Sequence, residues 1–293
     1  MFQIISDGGC DFSKEEIKTY GVEVVPFYIC LDGETYLKEG VDIDKLSYFQ
    51  RLQTEKNLFP KTSQPNPQDY IEVFEPYLKD GKDLFILTIS SKLSGSFNSA
   101  SMAVDTMKKA YPDRKIALVD SLNATLAQGL ILKEVIKIRD AGYLLAEAVR
   151  LAGEIIKSTR IYFTLDSLDY LKKGGRVGPT TALVGGLLNL RPILQVEEGY
   201  VTQLDNVRGR KKAIKLMEEA LLDVLKDETE RVSMCIGHIM CDDEAATFKA
   251  NAEESLGVTI TNPISEIGAA IGTHTGPGAI GFAYCRKYET VIN

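Results

Sequence analysis

The chain has 293 residues, of which 44% are hydrophobic, which is enough for a sizeable core and most naturally for two lobes. Its formal net charge of −7 argues against a nucleic-acid-binding protein, because phosphates would repel it. The first residues lack the basic start and long apolar run of a signal peptide, and the most apolar later stretch, residues 180–190, is too short to span a bilayer. The five cysteines are scattered without a C-x-x-C pair, as expected of reduced thiols. These features predict a cytoplasmic protein.

The first half of the chain alternates predicted strands and helices. Strands are expected at the apolar or β-branched runs 2–6, 22–29, 84–89 and 116–119. Helices are expected after a capping box of Ser13 and Glu16, over residues 42–54, after Asn66-Pro67, and on apolar faces that include Ala100 and Val104 or Leu126 and Leu130. Strands separated by helices predict a mostly parallel sheet with flanking helices.

The pattern changes after about residue 158, so the predicted lobes are residues 1–158 and 159–293. Strands are expected at 161–165, 232–239 and 278–284, and a hairpin at 192–204 turns at Glu197-Glu198-Gly199. A Gly-rich bend is expected at Gly174-Gly175, and Ile214, Met217, Leu221 and Val224 mark one amphipathic helix. This half is predicted to form a second α/β lobe with a mixed or antiparallel sheet, although the last strand could return to the first lobe.

The segment from Ser90 to Ser96 is a candidate anion site. It lies between a buried strand and a helix, at the carboxyl end of a parallel strand, where open α/β sheets bind ligands. The helix start offers free N–H groups, Gly95 permits close approach of the backbone, and Ser94 and Ser96 add hydroxyl donors. The simpler interpretation, a Ser-rich helix cap without a ligand, is the commoner one.

Two further polar segments strengthen the anion-site hypothesis. Residues 61–65 form a polar loop before a helix and could bring Thr62 over the same edge of the sheet. Residues 272–278 form a Gly- and Pro-rich loop that contains His274, one of only two histidines. The alternative is a plain tight turn with a solvated histidine.

Four motifs occur in order over nearly the whole chain: T-S-Q-P at 62–65, L-S-G-S at 93–96, D-S-L-D-Y-L-K-K-G-G-R-V-G at 166–178, and H-T-G-P-G at 274–278. Together they resemble the DegV family, whose characterised members are the fatty-acid-binding subunits of bacterial fatty acid kinase. The resemblance implies a two-lobed α/β fold with a tunnel for the acyl chain between the lobes.

The resemblance also implies roles for individual residues. Thr62 and Ser94 would hydrogen-bond the fatty acid carboxyl group, His274 would lie close to it, and Arg176 would take part in productive engagement of the kinase subunit. Together with Gly95 and Ser96, these are the predicted site residues. The chain departs modestly from the family pattern, with Asp7-Gly8 where Asp-Ser is usual and Ser96 where Thr is usual.

The implied partners are a long-chain fatty acid and a dihydroxyacetone-kinase-like catalytic subunit that brings ATP. The chain has no G-x-x-x-x-G-K-[ST] motif, so we expect it to bind the fatty acid without catalytic residues, cofactor or metal of its own. The kinase would convert the carboxylate to an acyl phosphate that feeds phospholipid synthesis. Contact with a membrane is expected to be transient at most, and contact with nucleic acid is not expected.

The sequence is also compatible with several alternative functions. Ser94, His274 and Asp120 could form a hydrolase triad, although L-S-G lacks the G-x-S-x-G elbow. The site could instead belong to a generic small-anion module. Cys235, His238 and Cys241 superficially resemble metal ligands, but strand alternation would put the two cysteines on one face and His238 on the other, so buried structural roles are favoured. The basic run 208–212 is interpreted as a solvated face, with an acidic partner or a membrane surface as weaker readings.

Overall fold

The computed structural model describes residues 2–55, 58, 60–176, 190–225 and 228–292. Val177 and Gly178 of the longest motif, and the apolar stretch 180–190 up to residue 189, lie outside the described residues. The strands in chain order are β1 (Phe2–Asp7), β2 (Glu23–Val25), β3 (Tyr28–Cys30), β4 (Tyr36–Lys38), β5 (Lys61–Ser63), β6 (Asp83–Thr88), β7 (Ile116–Asp120), β8 (Arg160–Thr164), β9 (Leu190–Glu197), β10 (Tyr200–Arg208), β11 (Val232–His238), β12 (Ser265–Glu266) and β13 (Ile280–Arg286).

Helices follow most of the strands. They are α1 (Lys14–Tyr20), α2 (Lys45–Thr54), α3 (Pro67–Lys79), α4 (Ser96–Ala110), α5 (Thr125–Asp140), α6 (Leu145–Ser158), α7 (Asp169–Gly174), α8 (Arg210–Leu225), α9 (Asp242–Leu256) and α10 (Ala269–Thr275). Short 3-10 turns span Gly8–Cys10, Thr229–Arg231 and Tyr288–Thr290.

The predicted parallel sheet is confirmed. Its strand order is β2-β1-β6-β7, and every neighbouring pair is parallel. β1 is buried throughout and β6 is buried after its first residue, as expected of strands covered on both faces. The carboxyl ends of β6 and β7 lead into the loops before α4 and α5, so polar residues of these loops share one edge of the sheet.

The second sheet is mixed, with the strand order β10-β9-β8-β13-β11-β12. Its pairs are antiparallel except for β11 with β12. The last strand therefore stays in this sheet and does not return to the first. The predicted hairpin joins β9 to β10 through Glu198 and Gly199, whose φ angles of 48° and 86° are those of a type I′ turn.

A third, three-stranded sheet has the order β4-β3-β5 and corrects two predictions. Residues 22–29 are not one strand, because Pro26 interrupts the strand and separates β2 from β3. The two strands belong to different sheets. The segment predicted as a polar loop at 61–65 begins as β5, with Thr62 opposite Ile29 of β3. This pairing holds the Thr62 backbone in a fixed register.

Helix ends follow the predicted capping chemistry. Ser13 and Glu16 form the capping box of α1, and Asn66 caps α3 with Pro67 at its first position. The apolar face of α8 is displaced from the prediction: Ala213, Met217, Leu221 and Leu225 are buried, whereas Val224 is 39% exposed. α6 is not among the predicted helices.

The two main sheets share one core. All strands of the parallel sheet precede residue 158 and all strands of the mixed sheet follow it, whereas α5 contacts strands of both sheets. One cluster of buried side chains accordingly includes Ile4 and Phe85 from the first sheet and Ile161 and Ala283 from the second. The α/β fold with two such sheets is confirmed, and the lobe boundary at 158/159 stays a prediction.

Candidate ligand cavity and head-group site

A cavity with an empty volume of about 940 Å³, including its mouth, reaches the mixed sheet from the edge of the parallel sheet. Its wall is largely apolar, with side chains such as Leu126, Ile161, Phe163, Leu171, Val196 and Val201. Its polar lining includes Thr62, Ser94, Arg176 and His274, which are four of the six predicted site residues. An apolar cavity with a few convergent polar groups is typical of a binding site for a small amphipathic ligand.

Thr62 and His274 are brought together from opposite ends of the chain. The Thr62 hydroxyl lies 2.8 Å from His274 Nε2, across 212 residues of sequence. His274 lies in the last turn of α10, so the prediction of a loop over residues 272–278 is wrong for its first half. The histidine is not freely solvated either, because its Nδ1 atom is buried.

The His274 imidazole is neutral near pH 7. Burial and the nearby Arg176 charge lower its pKa from 6.5 to about 4. Nδ1 has no hydrogen-bond partner among the residues that the structure describes. Because a buried N–H without an acceptor is rarer than an unpaired acceptor, we assign the proton to Nε2, which then donates to the Thr62 hydroxyl.

Glycine at position 174 makes room for this ring. A Cβ atom on Gly174 would lie 2.1 Å from His274 Nδ1, far closer than any real contact. Gly174 ends α7 and Gly175 follows with a φ of 67°, which turns the chain toward Arg176. The two glycines predicted as a bend therefore end a short helix that closes over the imidazole.

The three adjacent predicted residues at the start of α4 have different surroundings. Ser94 lines the cavity, and its Oγ accepts a hydrogen bond from the Ser96 N–H at 3.2 Å. Gly95 is the exposed N-cap residue, whose missing side chain admits the Gln64 side chain. Ser96 is fully buried outside the cavity lining; its Oγ donates to Asp7 at 2.6 Å and lies 2.7 Å from the Tyr70 hydroxyl.

Arg176 is half-buried in the cavity wall. Its Nε donates to Leu93 O at 3.4 Å and its Nη1 to Gly174 O at 2.5 Å. Burial lowers the pKa of its guanidinium, and no carboxylate pairs with it within the described ranges. A partly desolvated cation without an acidic partner favours an anionic ligand.

The hydrogen-bond directions make the site selective for an acceptor. The Thr62 oxygen receives the His274 proton and the Ser94 oxygen receives the Ser96 N–H, so both hydroxyl hydrogens are left to donate. Arg176 can only donate. An ionised carboxylate, which only accepts, matches all three groups.

Some residues that line the cavity were not among the predicted site residues. Thr125 lines the cavity with a φ of 49°, which is rare for a β-branched residue, and its hydroxyl donates to Asp11. Gln64 also lines the cavity, although it lies within one of the quoted motifs. Nothing in the local sequence distinguishes Thr125 from an ordinary residue at a helix start.

The hydrolase triad is not assembled. His274 contacts Thr62, and no hydrogen bond joins it to Ser94 in the described part of the chain. Asp120 instead accepts from the N–H groups of Ser91 and Leu122, at 3.2 and 2.9 Å. The arrangement therefore lacks both the activated hydroxyl and the orienting carboxylate of a triad.

The structure also decides the candidate metal ligands and the basic run 208–212. Cys235 and His238 are buried in β11, whereas Cys241 is the N-cap residue of α9. No group of three possible metal ligands occurs within the described residues. In the basic run, Arg210 is not solvated: it pairs with Glu244 and Asp166. None of the helices in the described segments has the length and apolar character needed to cross a membrane.

Comparison with known proteins places the chain among relatives of the same length. Residues 1–287 match the family described as "Uncharacterised protein, DegV family". A DegV domain-containing protein of Clostridium perfringens is 36% identical over 286 residues, covering 97% of this chain and 99% of that protein.

Solved structures agree with this match. A stearic-acid-binding protein from Eubacterium ventriosum has a TM-score of 0.94 and 33% identity, covering 99% of this chain and all of that one. A fatty-acid-binding DegV family protein from Thermus thermophilus has a TM-score of 0.87 and 29% identity, covering 97% and 99%. The chain belongs to the DegV family.

Proposed function

We propose that this protein binds a long-chain fatty acid as its carboxylate and presents it to a separate kinase. The observation that carries the proposal is the cavity itself, whose apolar wall meets two donor hydroxyls and a guanidinium that has no carboxylate partner among the described residues. The acyl chain lies along the apolar wall, and the carboxylate is oriented by Thr62, Ser94 and Arg176. Two structural relatives that are described as binding fatty acids support the same ligand class.

Affinity comes mainly from the tail. Each buried methylene contributes about 0.8 kcal/mol, so about a dozen methylenes supply ~10 kcal/mol before ordering costs are subtracted. The head group then needs only to be oriented. Neutral His274 contributes by polarising the Thr62 hydroxyl toward the carboxylate. Gly95 contributes only the open helix start beside Ser94, and Ser96 holds Ser94 through its N–H group.

Presentation to the kinase is the second half of the proposal. A dihydroxyacetone-kinase-like catalytic subunit transfers the terminal phosphoryl group of ATP to one carboxylate oxygen, and ADP leaves. The acyl phosphate remains in the cavity, where exclusion of water slows its hydrolysis, before it enters phospholipid synthesis. Arg176 beside the carboxylate would neutralise charge on the transferred group. This role places the protein in the cytoplasm.

The ligand is tested by lipid extraction and mass spectrometry of protein purified without added fatty acid. We expect a stoichiometric long-chain fatty acid in the wild type and its depletion in Thr62→Val/Ser94→Ala. The control is Thr247→Val/Ser255→Ala, whose hydroxyls are exposed on α9. No lipid in the wild type, together with no thermal stabilisation by added fatty acids, would contradict the proposal.

The kinase step is tested separately with the loaded protein, ATP and the catalytic subunit. Hydroxylamine traps an acyl phosphate as its hydroxamate, which mass spectrometry identifies. We expect hydroxamate only when both proteins are present. Formation of none, with a loaded and folded protein, would leave the binding role and remove the presenting role.

A further inference from the structure

Two carboxyl groups from separate parts of the first half meet at the start of α10. Asp11 follows the turn after β1, and Glu39 follows β4. Asp11 Oδ1 accepts from the Gly268 N–H at 3.0 Å, and Glu39 Oε1 accepts from the Ala269 N–H. A Cβ atom on Gly268 would lie 2.6 Å from the Asp11 oxygen and 2.7 Å from the Glu39 oxygen, so glycine admits both.

This contact matters because α10 is weak as an isolated helix. It has seven residues, A-A-I-G-T-H-T, which is too short for a stable helix without tertiary contacts. N–H groups of its first turn have no partner inside the helix, and negative charge there is favourable. The position of α10 therefore depends on the groups that hold its ends.

The same helix carries His274, whose imidazole contacts Thr62 in the cavity. Its Thr273 hydroxyl lies 2.6 Å from the Tyr48 hydroxyl, and His274 follows with its contact to Thr62. The second oxygen of Asp11 accepts from Thr125, which lines the cavity. Asp11 thus joins the helix that bears His274 to another wall of the same cavity.

Burying the carboxyl groups of Asp11 and Glu39 costs more free energy than ordinary helix capping requires. Asp11 is 9% exposed, and Glu39 Oε2 is shielded from solvent without a hydrogen-bond partner in the described chain. Burial raises the pKa of Asp11 to about 6 and that of Glu39 to about 7, although the Lys45 charge opposes both shifts. A Ser or Asn cap would satisfy N–H groups without burying charge, but it would not tie α10 to two other segments.

We infer that Asp11 and Glu39 are positioning residues of the head-group site, which hold the start of α10 and thereby place His274 against Thr62. The inference rests on the proposed fatty acid site for its effect on binding. The placement of the imidazole itself does not require a ligand.

The binding test compares hexadecanoic acid with hexadecanol, because the two share a tail and differ in the head group. In Asp11→Ala and Glu39→Ala we expect the preference for acid over alcohol to fall about tenfold, the cost of one buried N–H group left without an acceptor. Asp11→Asn and Glu39→Gln keep an oxygen facing the N–H group, and we expect them to stay within about threefold of the wild type. Asp105→Ala, on the exposed face of α4, is the control.

The second test uses imidazole NMR of the ligand-free protein, whose only other histidine, His238, is an internal reference. We expect the His274 signals to shift and broaden in the Ala variants and to return in the Asn and Gln variants, with His238 unchanged. If one Ala variant fails to fold, Gly268→Ala perturbs the same contact. The inference would be overturned if the Ala variants were destabilised but kept both the wild-type preference for acid over alcohol and the wild-type His274 signals. A wild type that binds neither compound would refute only the proposed function, since the NMR result still decides the positioning role.

Discussion

Replacement of Arg176 by Met separates the charge of this residue from its bulk. The guanidinium is half-buried, its hydrogen bonds go to two carbonyl oxygens, and no carboxylate pairs with it among the described residues. Methionine fills a similar length without charge. In the ligand-free protein, the lost hydrogen bonds and the removed desolvation cost offset each other, so the free energy of unfolding should change by less than about 1 kcal/mol.

Binding of a carboxylate should respond much more strongly. A hydrogen bond to a charged group contributes about 1.5–3 kcal/mol, so Arg176→Met should weaken binding of hexadecanoic acid roughly 10- to 150-fold. The methyl ester of the same acid has no charge, and its affinity should stay within about threefold. Arg176→Lys should recover only part of the loss, because an ammonium on a shorter stem lacks the planar fork.

The assay is displacement of a fluorescent fatty acid by the acid and by its ester, with thermal unfolding measured in parallel. Arg150→Met is the control, since Arg150 pairs with Glu147 on the surface of α6. Equal loss for acid and ester would show that Arg176 supports the wall and not the head group. Normal binding of the acid together with loss of kinase-dependent phosphorylation would assign Arg176 to the partner alone.

Three further predictions concern stability and the shape of the cavity. Burial raises the pKa of Glu39 from 4.5 to about 7, so its contribution to stability is greatest below pH 4.5 and is lost as the pH rises through 7. Glu39→Gln should therefore gain stability relative to the wild type as the pH rises from about 5 to about 8, by up to about 3 kcal/mol in urea unfolding. A difference in the free energy of unfolding that stays constant over this pH range would contradict the prediction. Gly174→Ala places a methyl group on the His274 ring and should weaken fatty acid binding by about tenfold or more, whereas Gly153→Ala, with open space around it, should raise the melting temperature. Val201→Phe reduces the room in the cavity and should shift the extracted lipid toward shorter chains; an unchanged chain-length profile would exclude Val201 from the tail site.

Features governed by neighbouring residues could be predicted from the sequence. The capping box at Ser13, the helix cap at Asn66 and the hairpin turn at Glu198-Gly199 depend on residues within a few positions of each other. The buried strand β6 was also readable, because both faces of a parallel strand need apolar residues. Helix α6 could also have been predicted, because its buried residues repeat at helical spacing: Ala148, Leu151, Ala152 and Ile155.

Predictions failed where distant residues decide the local structure. Lys61–Ser63 is a strand because it pairs with β3, a partner that its own polar sequence does not reveal. Ala269–Thr275 is helical although its glycine and threonines favour other conformations, because Asp11 and Glu39, more than 200 residues away, hold its first N–H groups.

By itself the sequence determined the α/β class, the parallel arrangement of the first sheet and, through four ordered motifs, the family and its candidate head-group residues. Only the tertiary structure decided which of those residues share a cavity: Thr62, Ser94, Arg176 and His274 do, while Ser96 is committed to Asp7. It also decided that His274 is neutral and that Arg176 has no acidic partner in the described chain. The physical reason is that burial and hydrogen-bond direction depend on groups brought together across the fold, and no local spacing encodes them.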